Sequence, residues 1–230
     1  MLEAKELGKK YGEINALQGL NFTVKSGEIF CLLGQNGAGK TTTINIFLGL
    51  IAPTTGKALI NGESISENPS LRNKIAYIPE IVQLYGNLSG IENLNFFSRL
   101  AGFKYTKEEL YDFLKRDNLN EKDYGKRLST YSKGMRQKVG IAIALSKNAS
   151  FILMDEPTSG LDPKASVEFA NTCKKLSKKG VGIFMATHDI FNAVNIGSRI
   201  GIMKEGSLIH TTETDNITAQ ELQDLYIKTI

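Results

Sequence analysis

One glycine-rich segment constrains this chain more than any other: Gly34-Gln35-Asn36-Gly37-Ala38-Gly39-Lys40-Thr41, set between an apolar strand-like run (28–33) and a helix-prone run (40–50). It fits the pattern G-x-x-x-x-G-K-[ST], and a preceding strand and following helix are the context that pattern requires. Glycines let the backbone wrap closely around a polyphosphate with several N–H groups pointing inward. The helix that follows adds roughly half a positive charge at its N-terminus. In that setting Lys40 is expected to reach the β- and γ-phosphates, and the Thr41 hydroxyl to ligate Mg²⁺. A plain glycine turn before a helix is the alternative, but with 22 Gly in 230 residues a chance match to the whole pattern is rare.

The second half of such a site is Phe151-Ile152-Leu153-Met154-Asp155-Glu156. Here an apolar strand delivers two carboxylates at its C-terminal end, where α/β sheets place ligands. Asp155 suits a Mg²⁺ shell, and Glu156 is placed to orient or deprotonate an attacking water. Alone, the pair reads equally well as a helix cap or a solvated turn; beside the phosphate segment the catalytic reading prevails. His188 follows another strand-like run (181–186) and so emerges on the same sheet edge as Gly34 and Glu156. That position favours contact with the γ-phosphate, although a lone histidine is more often structural.

Composition excludes several classes. Apolar residues make up 41% and charged residues 23%, an ordinary globular balance. No apolar run is long enough to span a bilayer, and the N-terminus lacks the basic-then-apolar order of a signal peptide, so a soluble, intracellular protein is expected. Cys31 and Cys173 both lie on apolar stretches and read as buried hydrophobes rather than a bridge. With only two histidines, His188 and His210, no protein-built zinc site is expected. The net charge is 28 − 24 = +4, too small and too dispersed for a nucleic-acid binder.

Along the chain, residues 1–35 alternate short β-prone runs with turns, and strands are expected near 57–60 and 74–78. Then the pattern turns helical. Ser89-x-x-Glu92 and Thr106-x-x-Glu109 match capping boxes, and a third helix is expected over 133–146. Strand and helix alternate again over 151–155, 163–178, 181–186 and 199–210, and a last capped helix begins at Thr218-x-x-Glu221. An α/β core therefore encloses a mostly helical insert of about residues 81–135, giving one domain with two lobes.

Taken in order, these elements resemble the nucleotide-binding subunit of an ABC transporter over essentially the whole chain. The style of Tyr77-Ile78-Pro79-Glu80 and of Tyr131-Ser132-Lys133-Gly134-Met135 is similar to bacterial drug and peptide-antibiotic exporters. The resemblance implies a P-loop NTPase: a RecA-like core sheet with an N-terminal antiparallel β subdomain and an inserted helical subdomain. The whole of 1–230 would be a single ATPase domain, with its core at 1–80 and 136–230. It further implies that Tyr11 stacks on adenine, and that Gly34, Gln35, Asn36, Gly37, Ala38, Gly39, Lys40, Thr41 and Thr42 hold the nucleotide. Lys40, Glu156 and His188 would serve hydrolysis, and Thr41, Asp155 and Glu80 (the Q-loop position) would face the metal. Ser132, Lys133 and Gly134 match the signature motif that meets a second copy's nucleotide, and Asp162 matches the D-loop. Two departures stand out. Glu80 replaces the usual glutamine, from which tighter metal dependence and a pH sensitivity are expected. The signature differs at Tyr131, Lys133 and Met135.

The implied cofactors are ATP and Mg²⁺. The implied partners are a second, identical or paralogous, ATPase subunit and a separate membrane permease, which would hold the chain at the cytoplasmic face of the membrane. No nucleic acid is expected. The docking groove is placed at Ile81, Val82, Leu84, Tyr85 and Leu88, which alternatively pack the helical lobe. A non-transport ABC ATPase acting on nucleic acid or ribosomes, a small-molecule kinase and a non-hydrolysing regulatory module are the competing readings.

Overall fold

Two long strands open the chain. In the computed structural model, which describes residues 1–230, β1 (Leu2–Tyr11) and β2 (Ile14–Val24) form an antiparallel hairpin. The short runs expected for this region join into these two strands. Their register slips between Ala4 and Leu7, where Glu6 has a φ of 45°, so a bulge absorbs the break in alternation that makes β1 read as two pieces. β3 (Ile29–Gly34) follows and runs into α1 (Lys40–Phe47). The chain then returns to the first sheet as β4 (Thr55–Ile60) and β5 (Glu63–Ser64), completing the order β2-β1-β4-β5.

β6 (Ile75–Ile78) leads into α2 (Gly90–Leu100) and α3 (Lys107–Arg116), and α4 (Lys133–Ser146) brings the chain back to β7 (Phe151–Asp155). Next come α5 (Pro163–Lys178), β8 (Gly182–Thr187) and α6 (Ile190–Ile196). The hairpin β9 (Arg199–Lys204) and β10 (Ser207–Glu213) and the helix α7 (Ala219–Thr229) close the fold. The second sheet is ordered β10-β9-β3-β8-β7-β6 and is parallel except for β10. Parallel strands covered on both faces need continuous apolar sequence, and β3, β7 and β8 are buried along their whole length. Reciprocal capping boxes form at Ser89–Glu92, Thr106–Glu109 and Thr218–Glu221. No helix is long and apolar enough to cross a membrane.

Between the sheets, Phe22, Phe30, Phe47 and Phe184 pack with ring centroids 5.2 to 6.5 Å apart. The opposite face of the parallel sheet is sealed by α5, α6 and α7, with both free cysteines inside; burial pushes the Cys31 thiol up to about 12. A separate cluster around Leu94, Leu110, Leu114 and Tyr131 gives the helical lobe its own core. α4 serves both, turning Val139 and Ala142 to the lobe and Ile141 and Ala144 to the sheet.

One unpaired acid lies beside this joint. Asp117, just past α3, is 1% exposed, and neither carboxyl oxygen has a hydrogen-bond partner. Burial pushes its pKa up to about 8, against the opposing pull of Lys138, Arg116, Lys179 and Lys175. An acid whose pKa is raised on folding binds its proton more tightly in the native state. Its effect on stability is therefore most favourable below the unfolded pKa, about 4, and is lost as pH rises toward the folded value. Asp117→Asn should remove this loss. The variant is expected to match wild type near pH ~4 and to gain on it at up to ~1.4 kcal/mol per pH unit above that. Denaturation curves that stay parallel at every pH would contradict this.

Candidate functional site

The site begins where β3 ends. Two glycines there are fixed by crowding: a Cβ on Gly34 would lie 2.7 Å from Met203 O, and one on Gly39 would lie 2.6 Å from Ala16 O. Gly39 also has a φ of 109°, which side-chain-bearing residues rarely adopt. It opens α1 with no side-chain cap and no acid in the first turn, leaving the helix N–H groups available to an anion. The loop is braced from behind by the β9–β10 turn, where Gly206 N–H donates to Ala38 O at 2.9 Å.

Register brings the remaining groups alongside. Thr187 in β8 pairs with Leu33 in β3, and Asp155 in β7 pairs with Ala186 in β8. A cavity of about 240 Å³ results, lined by Gln35, Asn36, Gly37, Gly39, Lys40, Thr41 and Thr42 on one side and by Glu80, Asp155 and Glu156 on the other. Lys40 is buried, and its Nζ donates to Gly34 O at 2.6 Å and Gln35 O at 3.2 Å, with Glu156 Oε1 at 3.5 Å. Thr41 Oγ1 donates to Asp155 Oδ2 at 2.8 Å. Burial raises the Asp155 pKa, the Thr41 hydrogen bond opposes the rise, and the charge of Glu156 adds to it.

Glu156 is held on one side only. Its Oε2 accepts from Thr187 Oγ1 at 3.2 Å and His188 N at 3.3 Å, with His188 Nδ1 2.9 Å away. Its Oε1 is buried with no hydrogen-bond partner. His188, expected at a γ-phosphate, here rests on the catalytic candidate. Glu80 lines the cavity, but its Oε1 accepts from Ser159 Oγ at 3.0 Å, an anchor that sequence reading missed. Ala16 was missed as well. Nothing in its residue type marks it; only the folded hairpin brings its carbonyl against Gly39.

The other expected residues lie apart. Tyr11 stands exposed at the end of β1, with Lys9 Nζ 5.0 Å from its ring centroid, and Ala16 of the same hairpin lines the phosphate cavity. Ser132 caps α4 by accepting from Met135 N at 3.3 Å, and Lys133 and Gly134 form the first turn. Ser132 and Gly134 line a different cleft of about 230 Å³, together with Asp162, which caps α5 by accepting from Ala165 N at 2.9 Å. Tyr131 is buried in the lobe and donates its hydroxyl to Asp123 O, which accounts for an aromatic residue at that position. Of the proposed docking cluster, Val82 and Leu84 turn inward, while Ile81 and Tyr85 are 61% and 49% exposed. Phe96 and Leu100 on α2 extend that exposed apolar surface.

The family model described as ABC transporter matches residues 17–159. The chain is 35% identical over 97% of its length to "Probable multidrug ABC transporter ATP-binding protein YbhF" of Escherichia coli, but covers only 39% of that protein. It is 34% identical to the linearmycin resistance ATP-binding protein LnrL of Bacillus subtilis, over 94% of this chain and 70% of the relative. It is also 34% identical to the bacitracin transport ATP-binding protein BcrA of Bacillus licheniformis, over 94% and 71%. Among solved structures, an ATP-binding subunit of an ABC transporter superposes with a TM-score of 0.84 at 33% identity, covering 99% of this chain and 98% of that one. A dimeric ATP-binding cassette in a post-hydrolysis state with ADP and Pi gives 0.80 at 31% identity, covering 93% and 99%.

Proposed function

The chain belongs to the ABC transporter ATP-binding family, and from that premise we propose that it hydrolyses MgATP between two cassettes to drive export through a separate membrane permease. Drug-like or peptide-antibiotic cargo follows from the relatives. The observation that carries the reading is the convergence of Lys40, Thr41, Asp155 and Glu156 on one cavity at the ends of β3 and β7. In this reading 1–230 is one cassette, with a core of 1–80 and 136–230 and a helical lobe of about 81–135.

The hydroxyl and carboxylate oxygens of Thr41 and Asp155, 2.8 Å apart, suit a hard divalent cation, and Mg²⁺ there would neutralise charge on the β- and γ-phosphates. Lys40 exchanges its Glu156 contact for phosphate oxygens. Glu156 Oε1 is then free to take a proton from water, while His188 and Thr187 hold Oε2 in place.

Ser132 and Gly134 open on a different cleft from Lys40, with Lys133 between them in the chain, so an identical or paralogous second cassette supplies these three, with its Asp162 alongside. Shifting such an open–closed equilibrium from 1:99 to 99:1 takes about 5.5 kcal/mol of contacts made only with ATP bound. Charge-assisted bonds to two γ-phosphates from Lys40, His188 and the opposing Ser132 contribute in that direction.

The exposed surface of Ile81, Tyr85, Phe96 and Leu100 is the docking face for the permease, at the cytoplasmic side of the membrane. Phosphate release from MgATP without any acceptor substrate tests the hydrolytic half of the reading. For docking, the pair Ile81→Asp and Tyr85→Asp should reduce co-purification with the cognate permease by ~30-fold or more, the scale of losing a buried hot spot. Wild-type recovery of that variant would move the docking face elsewhere.

A further inference from the structure

The turn that carries Glu156 is kept in an unfavourable conformation, in part by a side chain from α4. Glu156 has a φ of 44°, a left-handed value uncommon for a residue with a Cβ. Such geometry persists only where its surroundings enforce it. Two restraints are backbone bonds: Glu156 N–H donates to Ala186 O of the neighbouring β8 at 2.9 Å, and Ser159 N–H donates to Glu156 O within the turn at 3.1 Å. The third comes from a side chain, where Gln137 Nε2 donates to Pro157 O, one residue past Glu156. Gln137 lies on α4, the helix that Ser132 caps.

Gln137 is 2% exposed, and its Oε1 has no hydrogen-bond partner. Turning the amide over would set two carbonyl oxygens against each other, so the donor orientation is fixed by Pro157. A buried amide that uses only its donor is costly to keep, and an apolar side chain of equal volume would avoid the unmet oxygen. What the amide supplies is a directional tether between α4 and the catalytic turn. Gln137 also lines the cleft between α4 and α5.

We propose that Gln137 is a positioning residue for hydrolysis, fixing the Glu156 carboxylate through Pro157 O and linking it to the placement of the Ser132-capped end of α4. The inference rests on the proposal that Glu156 acts on the attacking water. Contact at Ser132 by a second cassette's nucleotide is thereby transmitted to Glu156 of the same chain.

The test compares wild type, Gln137→Met and Gln137→Glu from mildly acidic to mildly alkaline pH, measuring turnover, MgATP affinity and thermal stability. Methionine keeps the volume but donates nothing; the carboxyl introduced by Gln137→Glu donates only while protonated. The expected result is a kcat lowered about tenfold or more in Gln137→Met at every pH, with KM and nucleotide Kd changed less than about twofold. Gln137→Glu is equally impaired at high pH and recovers relative to wild type as pH falls. The charged groups sharing the cleft, Lys138, Lys164, Asp162 and Glu168, are common to all three proteins, so that ratio isolates the introduced carboxyl. Wild-type kcat in Gln137→Met, or a Gln137→Glu defect that ignores pH, would overturn the proposal. Should Gln137→Met fail to fold, the pH response of Gln137→Glu still decides. Glu156→Gln, run in parallel, separates the two layers. If it hydrolyses normally, the role of Glu156 fails; if it is inactive while Gln137→Met is normal, only the tether fails.

Discussion

Replacing Glu156 with glutamine lowers ATP turnover by ~10²–10⁴-fold while leaving MgATP binding intact or tighter, the range expected for loss of a general base. Glutamine preserves the shape of the side chain and its packing at the end of β7, but cannot accept a proton from water. Two electrostatic consequences separate this result from simple damage. Lys40 loses the carboxylate 3.5 Å from its Nζ and is freer to hold phosphate. His188 loses the anionic partner 2.9 Å from its Nδ1. Steady-state phosphate release measured beside equilibrium nucleotide binding shows the split. Turnover within about tenfold of wild type would place the base elsewhere.

Lys40→Met carries the second large effect, and in the opposite sense. Here binding fails first: MgATP affinity is expected to fall ~10²–10³-fold, as two hydrogen bonds to a charged group at ~1.5–2 kcal/mol each are lost. The nucleotide-free protein is affected too. Gly34 O and Gln35 O lose the donor at 2.6 and 3.2 Å, and Glu156 Oε1 stays buried beside no cation. A stability loss of ~1–3 kcal/mol without ligand should therefore accompany the affinity loss. Calorimetric titration and denaturant melts read the two separately. Wild-type affinity in this variant would remove Lys40 from the phosphate site.

The phosphate loop and the acidic strand end stand out in the sequence because their chemistry demands particular residue types at fixed short spacing, next to recognisable strands; His188 is placed by its strand end, but its contact with Glu156 is not foreseen. The three capping boxes were legible for the same reason, since each is closed within four residues. What escaped sequence reading depends on distant partners. Ser159 meets Glu80 across 79 positions and Gln137 meets Pro157 across 20, and neither pairing leaves a local pattern. Asp117, at the end of α3, carries no local pattern that marks it as buried. The bulge at Glu6 hides the length of β1 by breaking the alternation on which strand reading relies. The apolar run expected at a docking groove is visible in the sequence, but only packing separates outward Ile81 and Tyr85 from inward Val82 and Leu84.

The central claim, that ATP joins two cassettes through a phosphate site on one and the Ser132 end of α4 on the other, is tested most directly by the solution mass of Glu156→Gln under saturating MgATP. Light scattering coupled to size exclusion should show twice the mass of the single chain, reverting to the single-chain mass when ADP replaces ATP. A nucleotide-loaded species that keeps the mass of one chain would contradict the account for two identical cassettes.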